Sequence, residues 1–185
     1  MENFRILSKL TPTATFCVTL TTEMNTLQIL NVLKYDPFAK SVFTDVLPSD
    51  RLPSQIRKRP KGFILNVDPS NGQGSHWIAV YLAEDGKGEF FDSYGKRPKF
   101  YSRIFRTFLQ DRSSTFTWND NTLQSPWSRV CGQYCFFYAL HRTRNIPMST
   151  IVNMKLTPHE AQNEGSNDPE TRATNYFLEC LFSRT

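Results

Sequence analysis

The sequence predicts a single α+β domain in which a small mixed or antiparallel sheet packs against one central buried helix. Three observations predict it. The chain has 185 residues, the usual size of one domain. Helix and strand signals come in segregated order (helix, strands, helix, strand, helix) and do not alternate as βαβ units. The stretch from Cys131 to Arg144 is apolar around most of its circumference, the pattern of a helix buried in the core. With 39% hydrophobic residues and 15 Phe, the chain has the material for one real core.

Taken in order, the first 23 residues show no clear period and read as a weakly structured arm, with 24–185 as the folded domain. Met24, directly before a helix signal, is a candidate natural start. Asn25-Thr26-Leu27-Gln28 has the form of a capping box, which predicts a helix over about 25–35. Residues 36–61 carry Pro37, Pro48, Pro53 and Pro60 and read as an irregular surface connector. Gly62–Val67, His76–Leu82 and Glu89–Tyr94 read as three strands of one sheet, the last two joined through Asp85-Gly86. Phe100, Ile104, Phe105, Phe108 and Leu109 fit one amphipathic helix, and Thr115–Trp118 a further short strand. A last helix is expected over about 172–183.

Lys and Arg total 22 against 17 Asp and Glu, a net charge of +5. The excess is clustered at Arg51, Arg57, Lys58, Arg59 and Lys61, and again at Lys96, Arg97, Lys99, Arg103 and Arg106. Such clusters are most often solvated faces; non-specific contact with DNA phosphates is the functional alternative, and no nucleic-acid motif accompanies them. Cys17, Cys131, Cys135 and Cys180 are too few and too irregularly spaced for a secreted disulfide scaffold, so a reducing compartment is expected. No apolar run approaches the roughly 18 residues that would span a bilayer, no secretory leader is evident, and no membrane partner or metal is expected.

Cys131 sits at the predicted start of the buried helix, where the helix dipole and free N–H groups of the first turn favour thiolate. A cysteine in a core helix is ordinarily structural, which is the reading for Cys135, Cys17 and Cys180. Gly132 leaves room beside the sulfur for a substrate backbone. His76 opens an aromatic strand where a base can meet a helix N-terminus, although a lone His is more often a surface or satisfied residue. His141, lower on the buried helix, and His159, in a late loop, are not placed to reach Cys131. Asp92 on the returning strand could accept from the imidazole and fix its tautomer. A simple fold about Asp85-Gly86 pairs Asp92 with Ala79, three residues from His76, so a bulge or bent strand end must close that gap. Gln124, shortly before Cys131, could donate to an oxyanion together with the Cys131 N–H; alone it would pass for loop decoration. Trp77 and Trp127 are by type more often core than substrate walls.

Taken jointly, Gly74-Ser75-His76-Trp77, Phe90-Phe91-Asp92-Ser93-Tyr94-Gly95, Leu123-Gln124-Ser125 and Val130-Cys131-Gly132-Gln133-Tyr134-Cys135 resemble the adenovirus-type processing cysteine proteases (adenain-like), within the clan that includes the SUMO-specific proteases. The likeness is closest to versions carried by Maverick/Polinton and adintovirus-like elements, and covers roughly residues 25–183. It implies a papain-like layout, with Cys131 as nucleophile, His76 as base, Asp92 as its orienting acid, Gln124 as oxyanion donor and Trp77 beside the groove. It implies a monomeric endopeptidase needing no cofactor for its chemistry, cutting precursor or capsid proteins after Gly-containing sequences in the host nucleus, the cytoplasm or the virion. Activation by DNA or a viral peptide would be non-covalent, because no cysteine lies between Cys17 and Cys131. Two alternatives stand beside it: a protease that removes SUMO or ubiquitin-like modifiers, and a non-catalytic DNA- or capsid-binding module on the same fold.

Overall fold

The computed structural model describes residues 23–154. The expected arm (but for Glu23), the helix over 172–183, Cys17, Cys180 and His159 lie outside the described residues. Helix α1 (Thr26–Tyr35) starts where its caps dictate: the Asn25 side chain accepts from the Gln28 N–H at 3.0 Å, and the Gln28 side chain accepts from the Asn25 N–H at 2.8 Å. Ile29 and Leu33 form its buried stripe. Asp36 then accepts from the N–H groups of Phe38 and Ala39 and opens the single turn α2 (Ala39–Val42).

The proline-rich connector holds more structure than expected. Strand β1 (Phe43–Pro48) lies parallel to β2 (Lys61–Asn66), with an irregularity between Phe43 and Asp45. Pro48 is tolerated because β1 is an edge strand, where a missing N–H need not break a ladder. β2 pairs antiparallel with β3 (Trp77–Leu82) and β3 with β4 (Gly88–Phe91), and β4 pairs parallel with β5 (Phe116–Trp118). The result is a mixed five-stranded sheet in the order β1-β2-β3-β4-β5: the three strands expected together, the further short strand expected at Thr115–Trp118, and β1, which was not expected. All six residues of β3 are buried, as a central strand covered on both faces requires.

One face of the sheet carries Phe63, Leu65, Ile78, Val80 and Phe90 and packs on Phe105, Phe108 and Leu109 of helix α4 (Arg103–Arg112). The single helix expected around Phe100 is two, because Ser102 has extended backbone: α3 (Pro98–Tyr101) ends there, and the Ser102 hydroxyl caps α4 by accepting from the Ile104 N–H. The opposite face meets helix α5 (Cys131–Arg142), with Phe91 stacked on Tyr138 at a centroid distance of 4.6 Å and Phe43 edge-on to the same ring. Nine of the twelve α5 residues are buried, so this is the central helix the sequence predicts. Each fully buried Phe contributes about 1.5–3 kcal/mol to holding these layers together.

Two polar contacts fix how α5 lies on the sheet. Glu89 of β4 accepts from the Tyr138 hydroxyl and from Arg142, whose guanidinium also covers the Tyr81 ring at 4.2 Å. Beyond the helix, Arg144 makes two hydrogen bonds to Asp36 and so ties this end of the chain to the cap after α1. The sheet therefore holds the N-terminus of α5 at the end of the layer where β3 begins and β4 finishes. A last turn, α6 (Met148–Ile151), follows.

Candidate active site

The turn between β3 and β4 sets which face Asp92 takes. It has one residue more than the expected Asp85-Gly86 turn. The Ala83 N–H donates to the Lys87 carbonyl and the Gly86 N–H to the Ala83 carbonyl, with Gly86 at φ 85°. Ala79 therefore pairs with Phe91 instead of Asp92. Continued by one step, that register sets Asp92 against Ile78, on the same face as His76 and diagonal to it. A slip of one residue turns every side chain over, so the expected register would have sent the two groups to opposite faces. Diagonal neighbours are within reach of long side chains without any bulge.

Asp92 is fully enclosed, and its carboxylate accepts four hydrogen bonds. Oδ1 takes His76 Nε2 at 2.7 Å and the Tyr94 N–H at 3.1 Å; Oδ2 takes the Lys96 N–H at 2.8 Å and the Tyr101 hydroxyl at 2.9 Å. Gly95, at φ 67°, makes the turn that brings the Lys96 N–H back to the carboxylate. An ionised carboxylate only accepts, so Nε2 is the donor and the ring is fixed in orientation. The Asp92 backbone is clamped by Asn119, which accepts from its N–H at 2.8 Å and donates to its carbonyl at 2.7 Å.

His76 itself is buried between two aromatic rings, Tyr94 at 4.6 Å and Tyr101 at 5.4 Å, both nearly parallel to it. Two π faces favour the charged imidazolium over the neutral ring. Nδ1 is buried and makes no other hydrogen bond, which leaves it for Cys131. Burial opposes protonation of His76. The hydrogen bond with Asp92, that with Cys131 and the charges of both outweigh it, raising its pKa from 6.5 to about 9. Cys131 begins α5, buried and free of any disulfide. Cys135, one turn deeper, is wholly buried, and burial pushes its thiol up, away from reactivity.

Gln124 is buried, in the stretch that precedes Cys131. Its Oε1 accepts from the Ser93 hydroxyl at 2.7 Å; its Nε2 donates to the Ser128 carbonyl at 2.8 Å and, at the longer distance of 3.3 Å, to the Tyr94 hydroxyl. Three consecutive residues thus serve both halves of the centre. Asp92 holds the imidazole, Ser93 holds the Gln124 amide, and Tyr94 stacks on the imidazole while donating to the Ser128 carbonyl.

Gly132 has a packing role besides the one expected of it. A Cβ there would meet Met24 Cβ at 3.1 Å, Ile29 at 3.4 Å and Trp77 at 3.5 Å, so the missing side chain serves the packing of α5 against α1 and β3. Trp77 is buried beside it and donates its indole N–H to the Met24 carbonyl. Trp127 is 92% exposed, in the stretch between Gln124 and Cys131. His141 contacts the Phe137 carbonyl, one turn before it on α5. Among the described residues no group of His, Cys, Asp and Glu is placed to hold a metal ion, and no helix is long and apolar enough to cross a membrane.

Sequence reasoning missed Tyr94, Tyr101, Asn119 and Ser93. Tyr94 and Ser93 carry a signal in their adjacency to Asp92; Tyr101 and Asn119 arrive through tertiary folding and carry none.

No protein-family model matches the chain. In sequence it is similar to the SUMO-1 cysteine protease S273R of African swine fever virus (isolate Pig/Kenya/KEN-50/1950), 27% identical over 108 residues, which cover 54% of this chain and 40% of the relative. It is likewise similar to the cysteine protease S273R of African swine fever virus (strain Badajoz 1971 Vero-adapted), 26% identical over 118 residues, covering 57% of this chain and 43% of the relative. The chain thus matches less than half the length of these curated relatives. Its fold is similar to the crystal structure of the ASFV pS273R protease, with a TM-score of 0.54 and 18% identity over 85% of this chain and 67% of that one. The α+β layout around Cys131 is therefore that of a solved viral protease, and modest sequence similarity leads independently to the same viral protein.

Proposed function

We propose that this chain is a cysteine endopeptidase that processes precursor or capsid proteins of a virus or mobile element, cutting after Gly-containing sequences. The observation that carries the reading is the His76 imidazole, held by Asp92 at 2.7 Å on one nitrogen and left with Cys131 for the other. In that arrangement the pair acts as imidazolium and thiolate, or His76 removes the thiol proton as the sulfur attacks.

The thiolate adds to the scissile carbonyl, and the Cys131 N–H at the head of α5 donates to the oxyanion that forms. The second donor is Gln124, through the N–H that makes only the long contact to Tyr94 and can turn to a stronger acceptor. His76 then gives its proton to the leaving amine, and takes one from the water that releases the acyl group. Activation by DNA or a peptide would act without a covalent bond, and Trp77, buried beneath Gly132, would support the wall beside Cys131.

The test is labelling and cleavage by the full chain. An electrophilic thiol probe should modify Cys131, and Cys131→Ala should abolish peptide cleavage while leaving circular dichroism unchanged; undiminished cleavage by that variant would end the proposal. A second reading, removal of SUMO-like modifiers, is favoured by the similarity to the African swine fever virus relative named as a SUMO-1 cysteine protease. Cleavage of a SUMO fusion, in preference to a library of Gly-containing peptides, would select it.

A further inference from the structure

We propose that the exposed surface formed by Lys96, Lys99, Phe100, Arg103, Ile104 and Arg106 docks an acidic, apolar-containing segment of the protein substrate, beside the scissile bond. The identity of the partner as substrate rests on the protease reading; the surface does not.

From Ser93 to Gln110 the chain has five cations and no Asp or Glu. All five side chains are exposed, and no ion pair among the described residues engages any of them. Arg97 is drawn over the Trp118 ring, whereas Lys99, Arg103 and Arg106 project without an anionic partner. The same surface exposes apolar groups that α3 and α4 have no reason to display: Phe100 is 64% exposed and Ile104 40%, and Lys96 lies over the Phe100 ring at 5.4 Å. A solvated basic face needs no such rings.

Position decides what this surface is for. Phe100 meets Tyr101 edge-on at 5.1 Å, Tyr101 stacks on His76 at 5.4 Å, and the Lys96 N–H donates to Asp92. One ring separates the patch from the base. An extended chain advances about 3.3 Å per residue, so a few residues carry a substrate from Cys131 to these cations. Glutamates and aspartates would meet Lys99, Arg103 and Arg106, and an apolar side chain would cover Phe100 and Ile104. An oligonucleotide would satisfy the charges and leave Ile104 uncovered.

The probes are a short fluorescein-labelled peptide rich in Glu and Leu, its twin with Gln for every Glu, and oligothymidylate, each titrated into the full chain. The acidic peptide should bind with a salt-sensitive affinity, and the triple change K99E/R103E/R106E should weaken it by about tenfold or more while Cys131 labels at an unchanged rate. Phe100→Ala should weaken it further without altering the salt slope. In cleavage, a Glu-rich extension on a fluorogenic peptide should lower KM relative to the Gln-rich extension and leave kcat alone. Equal binding of the two peptides, no effect of the triple change, or oligothymidylate binding more tightly than the acidic peptide would each overturn the proposal. Charge-dependent peptide binding by a chain that cleaves nothing would support the surface and refute the protease.

Discussion

His76 and Asp92 stand at strand ends, where four hydrogen bonds, two stacked rings and a backbone clamp hold the pair. Cys131 and Gln124 bracket a stretch with no regular structure, leading into a helix whose start has no side-chain cap. The contacts on that side converge on Ser93 and Tyr94: the Leu123 and Gln124 N–H groups both donate to the Ser93 carbonyl. The Ser128 hydroxyl there is buried without a hydrogen-bond partner. The difference teaches where pre-organisation is concentrated. On the protease reading, the half that would handle the proton is fixed before substrate arrives, whereas the half that would bind the oxyanion has one weak contact to exchange for a substrate oxygen.

Breaking the rigid half should do the most damage. Asp92→Asn removes the charge that holds the imidazolium, and should lower kcat/KM by about a hundred- to ten-thousand-fold. The pH profile gives a sharper readout. His76 keeps its proton up to about pH 9, so the wild-type rate should hold through neutrality and fall as pH rises through that value. In Asp92→Asn, with less to oppose burial, the fall should move to lower pH. Gln124→Ala tests the adaptable half: it should cost about 2.7–4 kcal/mol of transition-state stabilisation, a loss in kcat that leaves the alkaline limb where it was. If that limb shifted as in Asp92→Asn, the separation of the two halves would be wrong.

Asn119→Ala should act on stability more than on chemistry. It strands the buried N–H of Asp92, worth about 1–3 kcal/mol, while the Asp92 carbonyl keeps the Gly95 N–H at 2.9 Å, and the denaturant midpoint should fall with an unchanged slope. Smallest is Tyr101→Phe, which keeps the ring over His76 but removes one of four bonds to the carboxylate. The expected loss is about 1 kcal/mol, or roughly fivefold in kcat/KM, because three donors to the carboxylate remain.

Much of the layout was legible before any coordinates. The capping box at Asn25 and Gln28, the all-apolar β3 and the buried helix from Cys131 are local patterns that tertiary structure had no cause to override. Strand β1 was not legible, because four prolines in the connector mask a short irregular strand whose only pairing is parallel and distant in sequence. The β3–β4 register was misread by one residue: Asp85-Gly86 suits a two-residue turn, and nothing local announces the three-residue one that Gly86 closes. That single step is why Asp92 seemed three residues off. At the site, residue types and chain order disclosed His76, Asp92, Gln124 and Cys131 as candidates, but not their orientations. Gly132 shows the limit plainly, since a glycine beside a nucleophile reads the same whether it spares a substrate or a tryptophan.

The contact between Arg144 and Asp36 spans 108 residues, and Cys131, the proposed nucleophile, comes last in the chain among the proposed catalytic groups. During synthesis the strands bearing His76 and Asp92 emerge first and can pair while Cys131 is still unmade. The helix that carries the sulfur is anchored only when Arg142 finds Glu89 and Arg144 finds Asp36, near the end of the described residues. On the protease reading, a ribosome-bound chain would hold the paired His76 and Asp92 before it held its nucleophile, so the order of translation would delay activity until the helix from Cys131 is made.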